Sequence, residues 1–285
     1  MSSVSSDPRV LLVTGASTGI GYASARDFAA RGWKVFATVR TEADRVKLEA
    51  IPGVTATILD YGRPETIAAT LEEVLAKGGG RIDALFNNGA YGQPGAVEDL
   101  TVDVLRQQFD SIVFGWHDLT RRVIPIMRRQ GHGRIVQCSS ILGFVSMPYR
   151  GAYNAAKHAV EGLTDTLRLE LRGTGIEVIS IQPGPIATQF VKTSMKKFHE
   201  NIDIEASAFR EVYRQRLNRM GRGGASAFKL PPEAVVKCLI HACESARPKP
   251  YYRVTLQTKF MAVVKRLLPA RAFIAFSAWA ASRET

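Results

Sequence analysis

Apolar residues fall in short runs separated by longer stretches in which they recur every three or four positions, and the two patterns alternate along the first two thirds of the chain. The runs at 9–14 (RVLLVT), 33–39, 54–59, 82–87, 134–139 and 177–182 are rich in β-branched residues and predict buried strands. Between them the helical period covers 20–31, 42–50, 64–77, 101–129 with a bend at Pro125, and 152–172. Strands that alternate with helices this strictly pair in parallel through right-handed crossovers. The expected fold is α/β, a doubly wound parallel sheet of the Rossmann type with helices on both faces.

After Pro183-Gly184-Pro185 the pattern changes. Residues 190–230 are polar, basic and Met-containing and close on Gly221, Gly223 and Gly224, which predicts a mobile inserted helix pair serving as a substrate lid. Pro231-Pro232-Glu233 opens a further helix to about residue 245, proline being tolerated in a first turn that has no use for its N–H. Residues 251–254 predict a last strand. The organisation expected is one catalytic domain over 9–255, with the lid at 190–230, and a basic amphipathic extension over 256–285.

With 285 residues, 46% of them hydrophobic, the chain can bury one large core, which excludes a disordered or low-complexity protein. Its net charge of +12 admits nucleic acid, an anionic membrane or a phosphorylated ligand as partner. Position narrows that choice. Residues 1–189 hold 20 basic and 19 acidic side chains, and the excess sits in 190–230 (+5) and 247–285 (+7). A neutral scaffold without aromatics interleaved on a basic groove gives no warrant for nucleic-acid binding. Cys138, Cys238 and Cys243 lie in apolar segments without CxxC or Cys/His spacing, so no metal site and a reduced, cytoplasmic setting are expected. The Ser-rich residues 1–8 lack the apolar stretch of a signal peptide and read as a frayed start. No run of eighteen apolar residues spans a membrane.

The first strand runs into Thr14-Gly15-Ala16-Ser17-Thr18-Gly19-Ile20-Gly21. Glycines in a strand-to-helix turn let the backbone approach a pyrophosphate, which free N–H groups and the positive helix end then hold. Gly15, Ser17, Thr18, Gly19, Ile20 and Gly21 are therefore candidate cofactor ligands, although an ordinary glycine turn has the same look. The spacing G-x3-G-x-G excludes a kinase or NTPase P-loop. Val39-Arg40 ends the second strand where a carboxylate would bind a ribose 2′-hydroxyl. An arginine there favours NADP(H) over NAD(H), because a guanidinium can hold a 2′-phosphate bidentately; a solvated strand-end arginine is the plain alternative. Asp60, ending the third strand, either accepts from the adenine amino group or caps a turn.

Tyr153 and Lys157 are four residues apart, one turn of a helix on one face. A nearby ammonium stabilises a phenolate and brings it toward the working range of an acid or base. Ser140, at a strand end, is placed to polarise a carbonyl. The three residues downstream of the glycine turn have no common structural explanation.

On these residues, residues 9–255 resemble the classical short-chain dehydrogenase/reductase family. The pattern is matched by Thr14-Gly15-x3-Gly19-x-Gly21, by Ser140 thirteen positions before Tyr153-x3-Lys157, and by Pro183-Gly184 with Thr188. The stretch 151–171 is most similar to the 17β-hydroxysteroid and retinol dehydrogenase-like branch. The resemblance implies hydride transfer between nicotinamide C4 and a carbonyl carbon. It makes Tyr153 the acid/base, Lys157 the group that lowers its pKa and holds the nicotinamide ribose, and Ser140 the residue that orients the substrate oxygen. It also places Pro183, Gly184 and Thr188 beside the nicotinamide and its phosphates, and Asn87 on the adenine side. A homodimer or homotetramer paired through 101–129 and 152–172 is implied too.

Two departures bear on this. Asn87-Asn88-Gly89-Ala90 stands where the family has N-N-A-G, which predicts a looser backbone there. Ile112 stands where the related pattern has the Asn that supports a water-linked proton relay to the lysine. Its backbone carbonyl or Ser111 is left to substitute, and a slowed but real activity is expected. A non-catalytic NADP(H)-binding or sensing protein on the same fold is the alternative, with Ile112 as its support.

Tyr91, Gln93, Phe144, Val145, Met147, Pro148, Tyr149 and the 190–230 segment are expected around the substrate cleft, with Ser140, Phe144, Tyr149 and Tyr153 contacting the ligand. These walls are mostly apolar and carry no Arg/His cluster for a carboxylate or phosphate. A small lipophilic alcohol, ketone or aldehyde is therefore expected, such as a steroid, retinoid or long-chain carbonyl. An NADP(H) preference tilts the reaction toward carbonyl reduction. In 256–285, bulky apolar residues with flanking Lys259, Lys265, Arg266 and Arg271 suit either peripheral membrane contact or packing over the cleft or on a second subunit.

Overall fold

The computed structural model describes residues 8–221 and 229–282. The Ser-rich start, Gly223 and Gly224, and the last three residues of the basic extension lie outside the described residues.

Seven strands form one parallel sheet. In chain order, β1 is Val10–Val13, β2 Lys34–Val39, β3 Val54–Ile58, β4 Ala84–Asn87, β5 Gly133–Cys138, β6 Ile176–Gln182 and β7 Tyr251–Arg253. The spatial order is β3-β2-β1-β4-β5-β6-β7, so the direction of winding reverses between β1 and β4. Such a reversal opens a crevice at the carboxyl ends of the strands, where open α/β sheets bind ligands.

The strand pleat divides the core in two. Leu11, Val13, Val35, Ala37 and Phe86 pack with Ala25 and Phe28 of α1 (Gly19–Ala30) and with Val235 and Leu239 of α9 (Glu233–Glu244). Val10, Leu12, Phe36, Leu85 and Ile135 face the other way, onto Ile67 and Val74 of α3 (Pro64–Lys77) and Leu119 and Val123 of α5 (Gly115–Gln130). Period-two alternation between two covered faces explains why these strands read as continuous apolar runs. Thr41 caps α2 (Glu42–Glu49) by accepting from the Asp44 N–H, and Thr101 caps α4 (Val102–Phe109) by accepting from Val104.

The long helix expected over 101–129 is interrupted, and not at Pro125. Residues Asp110–Phe114 form a widened π-type turn between α4 and α5, with Ile112 fully buried in it, while Pro125 lies inside α5. The extra residue in this turn places Ile112 and Val113 in the core beside α6 (Gly151–Glu170).

The inserted segment forms α7 (Phe190–Asn201) and α8 (Arg210–Gly221). They have a small core of their own, Ala96, Phe198, Ile202 and Tyr213. The Tyr213 hydroxyl accepts from the Ala96 N–H and donates to Asp99, and the Ser207 hydroxyl donates to the same carboxylate. The pair is thus fastened to the 93–100 loop rather than lying loose on the surface. Beyond β7, α10 (Leu256–Leu267) and α11 (Ala270–Ser282) fold back on each other at Pro269, with the Phe260 and Phe276 rings 6.1 Å apart.

Candidate active site

The turn between β1 and α1 forms one wall of the crevice. Gly15 (φ +65°) and Gly19 (φ +59°) have left-handed backbones. A Cβ on Gly15 would come 2.3 Å from Gly89 Cα, and one on Gly21 would come 2.3 Å from the Gly15 carbonyl oxygen. Any side chain would fill the cradle, so its shape is made by backbone alone. Thr18, at the N-cap of α1, makes no capping hydrogen bond with its side chain, and the first turn holds no acidic residue. The positive end of α1 is therefore left for an external anion.

A cleft of about 540 Å³ adjoins this turn, lined by Ser17, Thr18, Gly19 and Tyr22 on one side and Thr188, Lys229 and Glu233 on the other. Thr188 touches the turn: a Cβ on Gly19 would lie 3.0 Å from its methyl carbon. Ile20 packs on the core behind the turn. The donor set of this region, a backbone cradle, a free helix end and hydroxyls, fits a dinucleotide pyrophosphate. Arg40 follows β2, is exposed and forms no ion pair among the described residues. Asp60 accepts from the Gly62 N–H and faces Arg63 at 3.7 Å, the turn-capping alternative.

The Asn pair behaves differently from the expectation. Asn87 is fully buried, and its side chain donates to Thr120 of α5, because strand alternation turns it into the sheet–helix layer. Asn88 instead braces the glycine turn, its amide donating to the Thr14 and Gly15 carbonyls. Gly89 is not slack: its N–H donates to Thr14 Oγ1 at 3.1 Å, and its carbonyl accepts from Trp116 Nε1 at 2.9 Å.

Ser140, Tyr153 and Lys157 meet where β5 and α6 converge. Ser140 is extended, and its Oγ accepts from the Leu142 N–H, which turns the hydroxyl toward Tyr153. The Ile141 N–H donates to the Pro183 carbonyl at 2.8 Å and ties this loop to the one after β6. The Tyr153 ring lies 5.3 Å from the ring of Phe190, the first residue of the lid. Lys157 is 1% exposed. Its Nζ donates to the Cys138 carbonyl at 2.7 Å and sits 4.2 Å from the Trp116 ring centroid and 5.5 Å from that of Tyr153. An ammonium over an indole face is held by the ring quadrupole.

Burial shifts the pKa of both groups. It pushes the Tyr153 hydroxyl well above the usual phenol range, with the Ser140 hydroxyl pulling the other way. It pushes Lys157 down to about 8, while the carboxylate of Glu161, one turn along α6, helps keep the ammonium charged. Among the protein's own groups desolvation thus outweighs the pull of the Ser140 hydroxyl on Tyr153, while the Lys157 ammonium donates to the Cys138 carbonyl and is itself desolvated. Glu161 is buried and accepts from Ser180 and Gln182. The Ser111 hydroxyl donates to the Gln108 carbonyl and neighbours the Tyr91 hydroxyl.

On the substrate side the structure separates residues that the sequence had grouped. Gln93 and Val145 are buried in the fold, Gln93 hydrogen-bonded to Asn201. The Tyr149 ring packs edge-on to Phe209 and Tyr213, and its φ of +61° is strained for a non-glycine residue. Tyr149 therefore anchors the lid rather than standing free to meet a ligand. Phe144 is half-buried, and its carbonyl accepts from Lys265 of α10. A Cβ on Gly184 would fall 2.2 Å from Thr255 Oγ1, so the Pro183-Gly184 turn is closed over by the start of α10. Trp116, Glu161 and Asn88 escaped sequence reasoning as site residues, whereas Phe190 opens the 190–230 segment expected at the cleft. Of those that escaped, only Asn88 carried a signal, its place beside Asn87 ahead of the glycine.

A family model described as short chain dehydrogenase matches residues 9–198. The chain is 38% identical over 265 residues to an uncharacterized oxidoreductase, YbbO, of Escherichia coli, covering 92% of this chain and 91% of that one. It is 30% identical over 275 residues to an NADPH-dependent 3-dehydrocapnine reductase of Ornithobacterium rhinotracheale, covering 92% and 94%. Retinol dehydrogenase 8 of Bos taurus is 30% identical over 259 residues, with coverage of 85% and 80%. Among solved structures, a short chain dehydrogenase/reductase from Burkholderia phymatum in complex with NAD superimposes with a TM-score of 0.76 at 25% identity, covering 91% of this chain and 92% of that one.

Proposed function

The chain belongs to the short-chain dehydrogenase family and is an NAD(P)-dependent oxidoreductase acting on CH–OH groups, and from that premise we propose that it reduces a lipophilic ketone or aldehyde with NADPH. The observation that carries this reading is the Ser140–Tyr153–Lys157 cluster, with Tyr153 and Lys157 buried, met by the aromatic ring of Phe190 and near a backbone cradle that fits a dinucleotide.

The residues of the cradle and Thr188 fit the cofactor's phosphates, and Arg40 supplies a cation for a 2′-phosphate. When bound, the nicotinamide supplies the hydride. Ser140 holds the carbonyl oxygen of the substrate by a hydrogen bond. Tyr153, a phenol whose pKa burial raises further above neutrality, donates its proton to that oxygen. Lys157 then stabilises the phenolate that remains, and the Cys138 carbonyl and Trp116 face keep its ammonium in place.

The apolar character of the substrate is supported by Phe190 over Tyr153 and by the aromatic core of the lid. Similarity to a retinol dehydrogenase and to an NADPH-dependent 3-dehydrocapnine reductase supports the same class. Three free cysteines suit a reducing, cytoplasmic setting. A groove of about 280 Å³ between α5 and α6, lined by Trp116, Leu163 and Leu167, offers a surface for a homodimer.

The test is NADPH consumption with a panel of lipophilic ketones and aldehydes. Turnover by the wild type that is absent from Tyr153→Phe supports the reading. Tight NADPH binding with no turnover across the panel would leave a sensing protein.

A further inference from the structure

Helix α10 carries a stripe of bulky apolar residues that the described residues leave more than half exposed, only Phe260 having a ring contact, with Phe276 of α11. Leu256, Phe260, Val263 and Leu267, spaced four, three and four apart, lie on one face and are 54% to 80% exposed. Ile274 and Trp279 of α11 are exposed as well. A contiguous apolar face of this kind marks a contact surface rather than ordinary surface composition.

The opposite side of α10 is fixed. Lys265 donates to the Phe144 carbonyl, Thr255 caps the helix by accepting from the Thr258 N–H, and both threonines are buried against the Pro183-Gly184 turn. The stripe is thus held facing away from the body, on a helix braced against the loop that follows Ser140.

We propose that this face docks α10 and α11 on the surface of an anionic lipid bilayer, beside the route by which an apolar substrate enters. The charge pattern selects that occupant. Residues 247–282 hold seven basic side chains and no acidic one, while residues 1–189 are nearly neutral. Lys259 and Arg266, one heptad apart, border the stripe. Apolar side chains entering the headgroup boundary with cations at their rim is the pattern of an interfacial helix. A second copy of the chain would bring the same cations against one another. None of the helices among the described residues is long and apolar enough to cross a membrane, so the contact is peripheral.

The proposal goes beyond the reading of the active site, and its test needs no substrate. The full chain is floated with vesicles of phosphatidylcholine, with and without phosphatidylglycerol. Binding to the anionic vesicles is expected, weakened by salt and by Arg266→Glu, and reduced at least about tenfold by Phe260→Ser with Leu267→Ser. Brominated lipid should quench Trp279 in the wild type, since Trp33 and Trp116 are buried. The double variant should keep NADPH binding, which shows that it is folded. Absence of vesicle binding, or equal binding by the double variant, overturns the proposal. A dimer that the same double variant dissociates, without vesicle binding, overturns it too and assigns the stripe to a second copy.

Discussion

The cofactor side and the proton-transfer side of this crevice are built by opposite means. The turn after β1 is a cradle of backbone, in which Gly15 and Gly21 leave no room for a Cβ, Gly19 holds a left-handed backbone (φ +59°) and the start of α1 has no side-chain cap. The cluster around Tyr153 is made of buried side chains whose protonation is set by what surrounds them: the Cys138 carbonyl, the Trp116 ring, Glu161 and Phe190. A backbone site is broken by adding atoms, and a side-chain site by removing or recharging them.

The largest effects test that division directly. Gly21→Val should abolish NADPH binding, measured by cofactor fluorescence, because the new Cβ collides with the Gly15 carbonyl oxygen. Tyr153→Phe should leave that binding intact while lowering kcat by about 10²- to 10⁴-fold, the usual worth of a general acid. If Tyr153→Phe also lost the cofactor, the two sides would not be separable.

Smaller effects sharpen the comparison. Arg40→Ala should weaken NADPH by about 10- to 100-fold and leave NADH unchanged, as expected for one charge-assisted contact. Equal effects on both cofactors would return Arg40 to a solvated strand end. Ile112→Asn should raise turnover when proton transfer limits the rate, and lower thermal stability by about 1–3 kcal/mol, because the amide enters a fully buried position. An unchanged rate would show that the Cys138 carbonyl and Trp116 suffice for Lys157. The pH dependence follows from the Lys157 pKa of about 8: the ammonium is lost as pH rises through that value, so kcat/KM should fall on the alkaline side. Glu161→Gln removes an anion that favours the charged lysine and should move that limb to lower pH.

Much of the backbone side was legible in the chain. Apolar runs alternating with helical periods yielded the parallel sheet, because strands covered on both faces have no polar alternation to hide them. The glycine turn was legible for a related reason, since a steric requirement on the backbone is met by residue type alone. The widened turn at Asp110–Phe114 was not, because it fits Ile112 and Val113 into a core supplied by α6. Nor was the choice between Asn87 and Asn88, which turned on the side to which the strand pleat points each amide.

The substrate side was legible only as composition. An aromatic, basic stretch could line a cleft, pack on a partner or meet a membrane. The lid's ties to Asp99 and Ala96, and the seat of Lys265 on Phe144, sorted these residues into anchors and exposed surface.

By itself, then, the sequence determined the layer architecture and the glycine turn after the first strand, and it singled out Ser140, Tyr153 and Lys157 as candidates, because periodicity, backbone sterics and helical spacing are properties of neighbours along the chain. Only the tertiary structure decided that burial raises the pKa of Tyr153 and holds that of Lys157 near 8, that Trp116 and Glu161 stand beside the ammonium, and that the apolar face of α10 points outward. Those depend on desolvation and on contacts between residues far apart in sequence, and such contacts exist only once the chain has folded.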